Sequence, residues 1–267
     1  MMGTSREERF ARRVAGVLML SLVTFQCGRF LPADFSGTLC NPDGSCGDGY
    51  VCDPGSLRCV RTGTLQTSDA GDTTGVYFFG ENLSANFRSV AVDTYVDEAT
   101  PTTNLGRDQA LSVDQSDDAG SYRAALIRFD LTAMPSFKVL SGASLHIWTT
   151  SAASSVSSGT VSVYPVLEQW RADQATFQER LPGVSWTDAG VGLGSRGVSS
   201  VGSFRPTDSG LEYIVPLSPY LVSAWLADAG SNFGIVLINS NTDKAEFHSS
   251  DAVDVGLRPM LEVSVTH

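Results

Sequence analysis

The chain has 267 residues, more than one small domain and fewer than two average ones. With 42% hydrophobic and 18% charged residues it can bury a core, which excludes a disordered chain. Its formal net charge is −11 and its only lysines are Lys138 and Lys244; phosphate binding needs clustered positive charge to displace counterions, so nucleic acid is excluded as a partner.

Residues 1–26 read as a signal peptide. Arg6, Arg9, Arg12 and Arg13 form a positive start, followed by a 12-residue apolar run from Val14 to Phe25. A membrane-spanning helix takes about 20 residues, so the run suits a cleaved signal and not an anchor helix. Cys27 then resembles the lipidated first residue of a mature bacterial lipoprotein of myxobacterial type. The alternative is a plain secretory signal cut after Ala33. The first reading implies an outer-membrane or cell-surface lipoprotein held only by its acyl chains, the second a secreted protein. Cleavage after residue 26 removes four arginines and two glutamates and takes the net charge from −11 to −13.

Cysteine usage points to the same oxidising compartment. Besides Cys27, the chain has Cys40, Cys46, Cys52 and Cys59, within the stretch CNPDGSCGDGYVCDPGSLRC. This segment is rich in Gly, Asp and Pro and too poor in apolar side chains to build a core, so two disulfides must hold it, each worth about 3 kcal/mol for a short loop. Zinc is disfavoured because no C-x₂-C spacing occurs. Of the three pairings, the interlaced one, Cys40–Cys52 with Cys46–Cys59, is expected. Residues 27–59 thus form a lipid-anchor candidate and cysteine-rich module, and residues 60–75, polar and small, a flexible linker.

From Val76 to the C-terminus the pattern is strands. ALIRFDL at 125–131, ASLHIWT at 143–149, TVSVYPV at 160–166, LEYIVPL at 211–217, FGIVLIN at 233–239 and MLEVSVT at 260–266 alternate apolar with polar residues, separated by Gly, Ser, Asp and Pro. This predicts one antiparallel sandwich or barrel over residues 76–267, with Ile127, Phe129, Leu145, Ile147, Val163, Leu237 and Val263 inside. One helix interrupts it, with Ser218 as cap, Pro219 at its first position and Gly230 at its end. Leu221, Ala224 and Trp225 share a face of that helix, which makes Trp225 a core anchor. Asp-Ala-Gly recurs at Asp69, Asp118, Asp188 and Asp228 with unequal spacing, as turns would.

A resemblance sharpens the fold. DTYVDEATPTTNLG (93–106), LSV (111–113), RAALIRFDLTAMP (123–135), SGASLHIW (141–148), VSVYPVLEQW (161–170), SAWLADAGSNFGIVL (223–237), FHSSD (247–251) and RPMLEV (258–263) occur in the order found in the DNRLRE domain. The chain resembles that domain, also classed as carbohydrate-binding module family 96, which has alginate-binding members. The resemblance implies an all-β, antiparallel jelly-roll-like sandwich that serves as an accessory module in extracellular polysaccharide-active proteins. The family's Trp-x-Glu…Thr-Trp stretch reads WRADQATF here, with Asp173 for Glu and Phe177 for Trp.

No catalytic constellation stands out. The histidines are His146, His248 and His267, and no G-x-S-x-G elbow is present. GLGSRG, Gly192–Gly197, matches a dinucleotide fingerprint but lacks the helical pattern that should follow it. Glu168, Glu179, Glu212 and Glu246 are available to a glycosidase, which needs two convergent carboxylates; solvated acids are the ordinary reading. No cofactor is required, and no metal ligand set is assigned. A structural calcium ion would call on Asp93, Asp97 and Asp130 at strand ends, where turn or cap duty is the alternative.

For sugar binding, alternation points Ser144, His146 and Trp148 away from Leu145 and Ile147, and Tyr164 away from Val163. If the two strands pair as a hairpin, His146, Trp148 and Tyr164 form one exposed patch, with Arg128 as an additional fork for a uronate carboxylate. Arg123 and Arg258 are further arginine candidates, and the loops around Trp170 and Trp186 are the fallback location. The expected function is non-catalytic extracellular binding of a polysaccharide, uronate-containing if arginines serve it, by a monomer. The alternatives are a structural or adhesive envelope module that binds a protein, or a polysaccharide lyase or hydrolase.

Overall fold

The computed structural model describes residues 38–41, 44–47, 50–53, 58–61, 73–82, 84–85, 87–88, 90–116 and 121–267. The expected signal peptide, Cys27, Ala33, residues 62–72 of the expected linker, and the turns at Asp69 and Asp118 lie outside these residues.

In chain order the strands are β1 (Tyr50–Asp53), β2 (Arg58–Arg61), β3 (Thr74–Gly80), β4 (Phe87–Arg88), β5 (Ala91–Asp97), β6 (Ala110–Val113), β7 (Arg123–Phe129) and β8 (Val139–Trp148). There follow β9 (Val161–Pro165), β10 (Glu179–Leu181), β11 (Val184–Ser185), β12 (Gly202–Phe204), β13 (Glu212–Leu217), helix α1 (Pro219–Ala227), β14 (Ile235–Asn239), β15 (Ala245–His248) and β16 (Met260–Thr266). Two five-stranded sheets form the sandwich: β13-β8-β16-β3-β4, called here the first sheet, and β12-β9-β14-β7-β5, the second. Their pairings are antiparallel apart from β3 with β4. β6 pairs with β15, and isolated bridges tie that short ribbon to both sheets, Asp114 to Arg123 of β7 and Phe247 to Thr149 after β8.

Alternation does what the sequence demands of it. Ile127, Phe129, Leu145, Ile147, Val163, Leu237 and Val263 all lie in one interior cluster between the sheets. A register shift at Ser264/Val265 opposite Leu140–Gly142 changes the phase of β8, so that Leu140 and Ala143 both face inward.

A second apolar cluster lies on the outer face of the second sheet. Ala124, Leu126 and Val236 point there, and the long excursion between β9 and β12 folds back over them with Trp170, Ala175, Trp186 and Val191. Trp170 is fully buried and donates its indole N–H to the Phe233 carbonyl at 2.7 Å. Asn104, in the Pro-Thr-Thr-Asn turn, holds the same excursion by donating to the carbonyls of Ala172 and Ala175, each at 2.7 Å. Trp186 donates to the Thr176 carbonyl at 2.9 Å. The tight turn at Gly190 leaves the next residue, buried Val191, at φ 60°, a left-handed conformation costly for a β-branched side chain.

Helix α1 starts with Pro219 directly after Ser218, as expected, though the Ser218 side chain makes no capping hydrogen bond. Leu221 and Trp225 enter the core, which bears out the anchor reading. The helix stops at Asp228, before Gly230, and the Asp228 carboxylate accepts from the Gly230 N–H at 2.9 Å.

The cysteines pair Cys40–Cys52 and Cys46–Cys59, the interlaced arrangement, tying the segment before β1 to β1 and to β2 of the hairpin. β2 runs to Arg61 and β3 starts at Thr74, so the ordered strands reach into both ends of the stretch read as linker. At Gly44, with φ +78°, an added Cβ would fall 2.0 Å from the Tyr220 ring, so this turn lies directly against α1.

Candidate functional site

The four residues expected to meet in one patch are divided between the two sheets. β8 already has β13 and β16 on its two sides, and β9 has β12 and β14. The chain therefore crosses from one sheet to the other between Trp148 and Val161, and no β8–β9 hairpin exists. Leu145 and Val163 do face the same interior, but from opposite walls. His146 and Trp148 accordingly lie on the outer face of the first sheet, Tyr164 and Arg128 on the outer side of the second. The single patch is corrected to two separate surfaces.

On the first sheet, His146 is buried and not displayed. Its ring nitrogens lie 2.7 Å from Glu212 and 2.9 Å from Glu262, carboxylates on the two flanking strands, and Phe78 meets it edge-on at 5.7 Å. Trp148 is partly exposed beside it, with ring centroids 6.5 Å apart. Ile214, opposite His146 in the register, is 57% exposed.

On the second sheet, Tyr164 is covered on one face by Arg196, whose guanidinium sits 3.9 Å from the ring centroid. The loop carrying Arg196 is GLGSRG itself, which forms turns instead of leading into a helix.

Arg128 has a different setting. It projects away from Ile127 and Phe129, lies 5.4 Å over the Trp170 ring, and reaches the Trp170 carbonyl at 3.5 Å. Among the described residues no carboxylate comes within ion-pair distance of it, whereas the other arginine candidates are neutralised. Arg123 pairs with Asp97 at 2.8 Å and Asp114 at 3.7 Å, and Arg258 with Glu81 at 2.7 Å. Burial shifts the Arg128 guanidinium down from its ordinary value, with the charge of Asp130 acting in the opposite sense.

Arg128 lines a cleft of about 660 Å³. Its walls come from Val90, just before β5, and Val92 at the start of β5, the segment from Asp130 to Phe137 that joins β7 to β8, and the end of α1 at Leu226. Asn232 fixes its floor by donating to the Phe129 carbonyl at 2.9 Å while accepting from the Gly234 N–H at 3.2 Å. Gly234, at φ +78°, runs against β7 so closely that a Cβ would meet the Ile127 carbonyl at 2.3 Å. The cleft thus combines apolar side chains, the polar Thr132, Ser136 and Asn232, and a half-buried cation beside Asp130, which are features of a small-ligand site. Sequence reasoning found Arg128 through alternation but not Met134, Phe137, Leu226 or Asn232. Met134 and Phe137 belong to a segment with no periodicity, and Leu226 sits beside a helix face assigned wholly to the core.

The remaining sequence candidates do other work. Asp93 is buried and accepts from the Ser250 N–H at 2.6 Å, Asp97 pairs with Arg123, and Asp130 accepts from the Thr132 N–H at 2.9 Å. These three do not assemble into a cation site. Turn and cap duty describes Asp130, and an ion pair describes Asp97. Among the described residues, the metal-capable cluster is Cys40, Cys46 and Cys59, which are disulfide-bonded. The four glutamates are also tied up: Glu168 with Thr187 and Arg180, Glu179 with the Gly183 N–H, Glu212 with His146, and Glu246 with Lys244. Trp170 and Trp186, the fallback location, are interior residues of the second cluster. At the departures from the family stretch, Asp173 makes an exposed ion pair with Arg171 and Phe177 meets Tyr122 edge-on at 6.3 Å.

A family model described as carbohydrate-binding module family 96 matches residues 85–193. The matched segment contains β5, β7, β8, β9 and most of the excursion over the second sheet, and with them Arg128 and the Asp130–Phe137 wall of the cleft. The chain is similar to a carbohydrate-binding module over that segment, which supports carbohydrate binding. No curated protein matches the chain.

Proposed function

We propose that the protein is an exported, non-catalytic module that binds an acidic polysaccharide in the cleft beside Arg128. The observation that carries this reading is a half-buried guanidinium, within the matched segment and without an ion-paired carboxylate among the described residues, on the wall of a cleft. A guanidinium held flat by an aromatic ring offers two parallel N–H donors to a carboxylate, and a uronate supplies that group on an otherwise apolar-faced ring. Export, with or without an acyl anchor at Cys27, agrees with the two disulfides.

The test is calorimetry with uronate oligosaccharides on the full chain. Arg128→Gln should weaken binding about 10- to 100-fold, the loss expected for one charge-assisted pair, with an unchanged melting point. Wild-type affinity in that variant overturns the assignment.

The outer face of the first sheet supports a second reading, an envelope module that docks on a protein. Ile214, 57% exposed, stands there opposite His146 and near Trp148, and Val76, 45% exposed, lies farther along the same face. Trp148→Ala separates the two: lost glycan binding with intact folding moves the sugar site to this face, and lost protein capture with intact glycan binding supports the docking role.

A further inference from the structure

The charges around the cleft narrow its ligand further. Arg128 is the one cation among the described lining residues, and Asp130 stands two residues along the same wall, so the lining is neutral overall. Lys138 follows Phe137 outside the lining and has an interaction partner of its own; on the other side Asp228 precedes Ala229, its carboxylate turned to Gly230. The flanks therefore add no surplus of positive charge. Beside Arg128 the lining combines Val92, Met134, Phe137 and Leu226, suited to the apolar face of an uncharged sugar, with the uncharged polar side chains of Thr132, Ser136 and Asn232. The chain as a whole carries −11.

A continuous polyuronate fits this poorly. Every sugar in it bears a carboxylate, so the residues on either side of the one held by Arg128 bring two further negative charges. Among the described lining residues there is no second cation to offset them, and Asp130 adds a repulsive charge, so each further carboxylate that enters the cleft loses hydration without an opposite charge in return. We infer that the cleft selects a polysaccharide with isolated carboxylates, in which each uronate is flanked by uncharged sugars, over a continuous polyuronate. This rests on the reading of the cleft as a glycan site, and it makes Asp130 the residue that sets the selection.

The test compares two hexasaccharides on the full chain by calorimetry: hyaluronan, with one uronate to every second sugar, and polymannuronate, with one on every sugar. At low salt hyaluronan should bind at least tenfold more tightly. Added salt should narrow the gap, because screening relieves the repulsion more than it weakens the single pair. Asp130→Asn keeps an oxygen to accept from the Thr132 N–H and removes the charge, so it should tighten polymannuronate binding several-fold and leave hyaluronan within twofold. Equal or tighter binding of polymannuronate at low salt overturns the selection while leaving the glycan site standing. Failure of both hexasaccharides overturns the glycan reading and the selection with it.

Discussion

The Nδ1 atom of His146 lies 2.7 Å from Oε1 of Glu212, and its other ring nitrogen lies 2.9 Å from Glu262. One buried imidazole thereby ties three adjacent strands, β13, β8 and β16, on the outside of the first sheet. His146→Ala should leave two carboxylates without their partner above a gap, at a cost of about 1–3 kcal/mol in urea denaturation. Binding in the cleft on the other sheet should not change. A variant of unaltered stability that no longer binds glycan would return His146 to the ligand site.

Asp93 predicts a pH dependence. Burial pushes its carboxyl up to about 7, with the neighbouring charges of Asp251 and Glu81 adding to the rise and the hydrogen bonds from Ser250 opposing it. The folded protein therefore keeps a proton that the unfolded chain releases near pH 4, so stability should fall as pH rises from about 4 to about 7. The fall should amount to roughly 4 kcal/mol if the full shift applies. Glu168 and Asp243 are held below their ordinary values by hydrogen bonds from Ser195, Thr187, Ser157 and Ser158, and their contribution is lost only at more acid pH. Asp93→Asn should flatten the profile between pH 5 and 7.5; an unchanged slope would move the effect to another group.

Trp170→Ala should cost about 3–5 kcal/mol, because the fully buried indole is one of the two tryptophans that, with Ala175 and Val191, cover Leu126 and Val236. Arg128 loses the ring it stacks on, so glycan affinity should drop even at temperatures where the variant is folded. Thermal unfolding and calorimetry on the same sample separate the two effects.

The cysteine hairpin should be removable. β3 is complete from Thr74, and the interlaced disulfides tie Cys40 and Cys46, ahead of β1, to β1 and β2 respectively, so they close within residues 40–59. Deleting residues 28–72 should shift the melting point of the remainder by only a few degrees, from uncovering Tyr220 where Gly44 lies against it. A collapse of the melting transition would make the hairpin part of the sandwich's stability.

The interior was legible in the sequence because a strand with one buried face has a period of two, and Leu145, Ile147 and Val163 show it plainly. The same period could not assemble the site. It tells on which side of its own strand Trp148 or Tyr164 lies, but not that β8 and β9 belong to opposite sheets. The second cluster was hidden for a related reason. Ala124, Leu126 and Val236 face outward from the interior, and what covers them comes from an excursion whose Gly and Ser content reads as open loop. Arg128 was found because alternation sufficed to expel it from the core. Its partners in the cleft come from a segment without regular structure, and only the fold brings them together.

The sheet order has one more consequence, for self-association. Each sheet ends on strands that give an incoming chain little to continue: β4 has 2 residues and β12 has 3, and β13 carries Pro216, which has no N–H to donate. The long edge, β5, turns Asp93 and Asp97 toward the interior side of its ladder, where a second copy pairing there would have to match a buried acid and an ion pair. These end strands disfavour edge-to-edge extension of either sheet by a second copy, and each sheet stops at five strands.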